Sequence, residues 1–149
     1  MPFIITFFAI GFNLFNGSIN GLYFSNFAID YTLEWLYDIR FIIGMLLFVV
    51  GVIINQSADN YLLHLRKRNT DGYQIPRGGM FNQISCPNFF GEILEWTGFA
   101  IMTWSPAAFA FALWTVFNLV PRAIGHHKWY QSKFPDYPAT RKAVIPYIL

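Results

Sequence analysis

Charge is scarce in this chain of 149 residues: Asp, Glu, Lys and Arg together make up 12% of it. Soluble domains carry about twice that share, so too few polar groups are present to cover a water-facing surface. Disorder is excluded as well, because 17 Phe, 8 Tyr and 5 Trp cannot be left in water. The single cysteine, Cys86, rules out an intrachain disulfide framework and any all-cysteine metal site. The zinc-protease pattern of two histidines around a glutamate is absent, and the adjacent His126 and His127 diverge on a helix, so no metal site is expected. Without a GxGxxG turn or a Walker loop, neither a Rossmann nor a P-loop site is available. A net charge of +2 is too small to indicate nucleic acid as a partner. The N-terminus lacks the basic region and small-residue cleavage site of a signal peptide and enters apolar sequence at once. That abrupt start leads us to expect the C-terminal part of a longer polypeptide.

Hydrophobic residues are what the chain has in abundance, at 55%. Four stretches read as membrane spans of roughly 20 residues: about 3–24, 39–58, 86–104 and 106–121, the last closing at Pro121. Ser105-Pro106 joins the third and fourth as a turn or kink, because proline removes a backbone donor. The expected fold is therefore an all-α integral membrane protein of about four transmembrane helices, forming one unit without internal repeats or linkers. Of its ten Lys and Arg residues, Arg40 alone lies outside the segments 64–83 and 122–149. The connection between the first two spans holds Asp30, Glu34 and Asp38 instead. Four spans put both basic segments on one side, and the positive-inside rule makes that side cytoplasmic.

Polar groups at membrane depth stand out, since a charge there costs roughly 2.5–3.5 kcal/mol on insertion scales. Asn55 and Asp59 lie four apart at the end of the second span, hence on one helical face. Asn88 and Glu92 repeat the spacing at the start of the third, and Arg122, His126 and Tyr130 continue it after the fourth. Arg66 follows Asp59 by seven, on the same face. Interface anchoring or helix pairing accounts for any one of these residues taken alone. Glu92 and Glu95 demand more, because two acids three apart require partners; Asn88, Arg122, His126 and Tyr130 are the candidates for Glu92, while Glu95 reads as structural. Arginines gathered with a histidine and amides suit a phosphorylated ligand. Carboxylates beside them suit ribose hydroxyls or an amide. The pattern points to a membrane-embedded site for a nucleotide-like cofactor.

The runs INQSADNYLLHLRK, YQIPRGGMFNQISCPNFFGEILEWTGFA and RAIGHHKWYQSKFPDYPATRKAVIPYIL are similar to the C-terminal half of the steroid 5α-reductases, also called 3-oxo-5α-steroid 4-dehydrogenases. The resemblance extends from about residue 20 onward. It is carried by Ile75-Pro76-x-Gly78-Gly79, by the box from Asn88 to Trp96, and by the tail Asp136-Tyr137-Pro138 with Arg141-Lys142-Ala143 and Ile145-Pro146.

The resemblance implies an NADPH-dependent reduction of the Δ4 double bond of a 3-oxosteroid, within a bilayer, by a seven-helix protein of which this chain looks like the last four helices. It also implies NADPH contacts at Asn55, Asp59, Arg66, Tyr73, Asn88, Glu92, Arg122, His126 and Tyr130. Preference for NADPH over NADH is expected from Arg66, with Lys67, Arg68 and the tail arginines as alternates. In the family a Tyr and a Glu of the N-terminal helices polarise the 3-oxo group, so no catalytic residue is expected in this chain, and neither Glu92 nor Glu95 replaces them. Those helices, on the same or a second chain, are the expected protein partner, and the chain alone is expected to be inactive. Related alternatives are polyprenol and trans-2-enoyl-CoA reductases, which also reduce C=C bonds with NADPH. Isoprenylcysteine carboxyl methyltransferases, which bind S-adenosylmethionine, and a non-catalytic membrane scaffold are the others.

Overall fold

Long apolar runs punctuated by proline and glycine fold into four helices in the computed structural model, which describes residues 3–27, 31–68 and 72–149. Asp30 and the side chain of Arg68 lie outside the described residues. Helix α1 spans Phe3–Asn26, α2 Ile39–Arg68, α3 Pro87–Thr103 and α4 Pro106–Lys133, with short 3-10 turns at Leu33–Tyr37 and Gly79–Asn82. Each helix coincides in position with one of the four apolar stretches. Among the described residues, α2 and α4 are long and apolar enough to cross a membrane. Only 17% of the apolar window of α2 and 28% of that of α4 is buried, so both helices leave most of their apolar surface open in this chain. At 17 residues, α3 rises about 25 Å. In α1 the Asn20 amide group bonds locally, with Nδ2 donating to Asn16 O at 3.0 Å and to Asn16 Oδ1 at 3.1 Å, while its Oδ1 is buried without a partner among the described residues.

The tightest packing is the antiparallel seam between α2 and α3. Gly44 and Gly51 of α2 lie opposite Gly98 and Gly91 of α3, and a Cβ placed on Gly98 would fall 2.6 Å from the Gly44 carbonyl oxygen. Small residues let backbones touch where no water-driven hydrophobic effect is available to join helices. This seam fixes where the polar residues of α2 and α3 meet.

At one end of the bundle, Trp104 takes a left-handed conformation (φ 47°) to close α3. Ser105 then caps α4 by accepting from the Ala108 amide at 3.4 Å, and Pro106 occupies the first turn. Here the expected corner forms. Pro121 does not end the helix, however: α4 runs through it to Lys133. A proline removes one donor, and apolar helices tolerate the loss when neighbouring elements and the following turns hold the backbone in register. On the same side as the corner, the Arg40 guanidinium lies between the Trp35 and Trp104 rings, 4.5 and 5.1 Å from their centroids. It pairs with Asp38 at 2.9 Å, and its hydrogen bonds hold the Asp38 carboxyl down to about 2.

At the other end the C-terminal segment folds back beside the start of α3. The Ser85 amide donates to Lys142 O at 2.8 Å, the Cys86 amide to Ala143 O at 3.1 Å, and the Lys142 amide to Gln83 O at 2.8 Å. Ile84 and Val144 are fully buried there. Cys86, Ala123, Ala143 and Val144 form a core against Phe89, Phe90, Ile93 and Ile124. Gly78 and Gly79 adopt positive φ (95° and 51°), which glycine alone takes without strain. They turn the 72–79 strap so that Phe81 is buried against Tyr61, ring centroids 5.2 Å apart.

Candidate functional site

A cavity of about 860 Å³ opens at this second end, between the last turns of α2, the 72–74 strap, the start of α3 and the last turns of α4. Arg66, Tyr73, Asn88, His126 and Tyr130 line it, together with Ser85, Cys86, Phe89, Trp129, Gln74, Leu62 and Leu65. Helical spacing explains the convergence. Arg66 projects from the seam helix α2, Asn88 from the first turn of α3, and His126 and Tyr130 from successive turns of α4.

The other four expected residues form a shell beside the cavity. Asp59 accepts from Asn88 Nδ2 at 3.0 Å, joining α2 to α3. Asn55 is half-buried at the seam, where its backbone faces Gly91. Glu92, also half-buried, feels the charges of Glu95, Asp59 and Arg122. Of its expected partners, Arg122 acts on it through charge, whereas Asn88 commits its amide to Asp59. Arg122 Nη1 donates to Asn118 Oδ1 at 3.3 Å. Its guanidinium also lies 5.5 Å from the Phe89 centroid. The His126 ring stands 5.9 Å from the same Phe89, so one aromatic ring links the α4 stripe to α3.

Aromatic rings form another part of the lining. Tyr73 meets Trp129 edge-on at 5.0 Å, and Trp129 in turn meets Tyr130 at 5.1 Å. Tyr130 stacks on Tyr137 at 5.4 Å with only 14° between the planes. Such rings offer flat apolar faces with polar tips, suited to a planar heterocycle. The cavity lining thus combines a cation, amide and imidazole groups, and aromatic faces. Its volume lies within the roughly 300–1,000 Å³ of small-molecule sites. A guanidinium can meet an anionic oxygen, amides and carboxylates can meet hydroxyls, and aromatic rings can meet a planar base, so the set is chemically compatible with a dinucleotide.

Sequence reading had not singled out Ser85, Cys86, Gln74 or Trp129 as lining groups, nor the four seam glycines. The glycines did leave a signal, since Gly44 and Gly51 are seven apart and so are Gly91 and Gly98.

Comparison with known proteins supplies a second, independent line. The family model described as 3-oxo-5-alpha-steroid 4-dehydrogenase matches residues 1–149. Steroid 5-alpha-reductase DET2 of Gossypium hirsutum is 51% identical over 148 residues, covering 99% of this chain and 57% of that protein. 3-oxo-5-alpha-steroid 4-dehydrogenase 1 of Bos taurus is 44% identical over 149 residues, covering 100% of this chain and 58% of its own length. The Homo sapiens protein of the same name is 43% identical over 148 residues, with 99% and 57% covered. The chain therefore spans a little under three fifths of the length of these relatives.

Proposed function

The chain belongs to the 3-oxo-5-alpha-steroid 4-dehydrogenase family, and from that premise we propose that it forms the NADPH-holding part of a membrane reductase acting on the Δ4 C=C bond of a 3-oxosteroid. The observation that carries this reading is the meeting of Arg66, Tyr73, Asn88, His126 and Tyr130 around one cavity. The reduced nicotinamide, when bound, supplies the hydride for the β-carbon of the enone.

The chain's own residues bind, orient and exclude water. The Arg66 guanidinium takes the extra phosphate that distinguishes NADPH, in a fork geometry that a lysine point charge does not reproduce. Asn88, held by Asp59, and Asn55 at the glycine seam present amides to ribose or carboxamide groups, and Glu92 accepts from a donor of the cofactor. Arg122 offsets the negative charge of that carboxylate. Tyr73, Trp129 and Tyr130 cover the planar ring systems, while Phe89 and Leu62 keep the site dry enough to protect a hydride. The donor to the 3-oxo oxygen, where negative charge develops, is assigned to the part of the relatives' length outside this chain. Topologically, all four helices cross the bilayer, with the 64–83 loop and the 122–149 tail facing the cytoplasm.

NADPH titration of the chain in lipid nanodiscs, followed through tryptophan fluorescence, tests the reading because Trp129 lines the cavity. Saturable quenching that weakens in Asn88→Ala is expected. A linear response indistinguishable from free tryptophan would contradict it.

A further inference from the structure

The C-terminal segment carries a buried cation that the proposed cofactor contacts do not use. Arg141 is 3% exposed, and its Nε is buried without a hydrogen-bond partner. The ion pairs of the described residues are Arg40–Asp38 and Arg77–Asp136, so no carboxylate among them balances it. A buried guanidinium lacking a counter-charge is costly to fold around, and packing alone would be better served by an apolar side chain. Arg141 is not among the residues lining the cavity.

What Arg141 touches is Tyr137. Its guanidinium lies 4.9 Å from the Tyr137 ring centroid, and Nη1 donates to Tyr137 Oη at 3.5 Å. The same ring stacks on Tyr130, a cavity wall. The Tyr137 hydroxyl lies 2.6 Å from Ser85 Oγ, which is another cavity wall. Ser85 Oγ also donates to Lys142 O at 3.0 Å and lies 2.6 Å from His127 Nδ1.

A serine hydroxyl has one proton and two lone pairs, which fixes the order of this network. The Lys142 carbonyl can only accept, so it takes the serine proton, and Tyr137 Oη–H and His127 Nδ1–H must both donate to Ser85. His127 is then neutral with its proton on Nδ1, and its Nε2 accepts from Gln131 Nε2 at 3.0 Å. Every hydroxyl proton is committed in one direction, and Arg141 heads the chain by donating to Tyr137.

We propose that Arg141 is a positioning residue for the cofactor cavity: it locks Tyr137, and through Tyr137 it sets the Tyr130 ring and the Ser85 hydroxyl on the cavity wall. The proposal rests on the reading of the cavity as an NADPH site for what it positions, and on the hydrogen-bond order alone for how. A guanidinium serves because its carbon lies over the phenol ring while one of its N–H groups reaches the hydroxyl.

Two measurements on the chain in nanodiscs separate these parts. Histidine-selective ¹⁵N spectra of the cofactor-free chain, which has 3 His, are expected to show His127 protonated at Nδ1 alone. In Arg141→Met that single tautomer signal is expected to shift or split, with Arg141→Lys intermediate. NADPH affinity is expected to fall about tenfold in Arg141→Met and in Tyr137→Phe. In the double variant it should fall no further, since the two act in series. An Nε2–H tautomer in the parent, or one signal unmoved in both Arg141 variants, would overturn the network. Additive losses in the double variant would reduce Arg141 to an independent structural role and overturn the proposal. A parent chain that binds no NADPH would refute the cofactor reading instead, and the tautomer spectra would still decide the network. Should Arg141→Met fail to fold, Arg141→Lys and Tyr137→Phe carry both tests.

Discussion

Gly91 of α3 lies so close to Gly51 of α2 that a Cβ on either would fall 2.7 Å from the other's carbonyl oxygen. Asn55 and Asp59 follow Gly51 by four and eight, and Asn88 and Glu92 flank Gly91, so the contact sets the polar groups of the two helices against each other. Gly91→Ala is accordingly expected to cost about 1–3 kcal/mol, as overpacking does, and to weaken NADPH binding by displacing Asn88. Gly125 of α4 has nothing within 4 Å of where its Cβ would stand. Gly125→Ala is expected to be neutral or to stabilise by up to about 1 kcal/mol. Thermal unfolding of both variants in one lipid system checks the contrast.

Asn88 gives its amide to Asp59 at 3.0 Å, and the pair reacts differently to the two ways of altering it. Asn88→Asp sets two carboxylates together and removes the donor, so it is expected to weaken NADPH binding more than Asp59→Asn, which keeps an acceptor in place. Equal losses would show that the cofactor does not depend on this bond.

The Asp38 carboxyl, held down to about 2 by hydrogen bonds from Arg40, gives a pH signature at the opposite end of the bundle. Its folded value lies below the ordinary carboxylate value, so its contribution is complete above about pH 4 and is lost as the pH falls toward 2. NMR titration of Asp38 is expected to show that low midpoint. In Arg40→Gln it should return to the ordinary carboxylate range.

The basic loop and the tail are joined across the cavity end. Arg77 Nη2 contacts Asp136 Oδ2 at 3.2 Å, and the Ser85 amide bonds Lys142 O. Single-cysteine reporters at Lys67 and Lys133, on a Cys86→Ser background, are therefore expected to label from the same side of the membrane. Labelling from opposite sides would break the topology proposed for the four helices.

Much of the fold was legible because apolar runs and a Ser-Pro corner declare themselves through period and composition. Pro121 misled, since its effect on a helix depends on what surrounds the freed carbonyl, which one residue type does not encode. The i, i+4 spacing gave the faces that meet, and brought Asn88 and His126 to one cavity. It could not say which neighbour a group chooses, so Asn88 bonds Asp59 rather than Glu92. Arg141 reads in sequence as one more tail cation. Its burial follows from the return of the chain beside Ser85, a pairing between residues more than 50 positions apart.

The chain by itself is expected to bind NADPH without consuming it in the presence of a 3-oxo-Δ4-steroid. The charge that develops on the carbonyl oxygen needs a positioned donor, assigned above to the part of the relatives outside this chain. Coexpression with that part should start steroid-dependent NADPH oxidation. Rapid turnover by the chain alone would mean that the donor lies within these residues.

The most direct test of the central claim compares NADPH and NADH affinity in the parent chain and in Arg66→Lys, by titration in nanodiscs. The parent is expected to prefer NADPH, and Arg66→Lys to lose about tenfold or more of NADPH affinity while NADH changes by less than about twofold. Equal losses for both cofactors, or none for either, would contradict the account of this cavity as an NADPH site lined by Arg66.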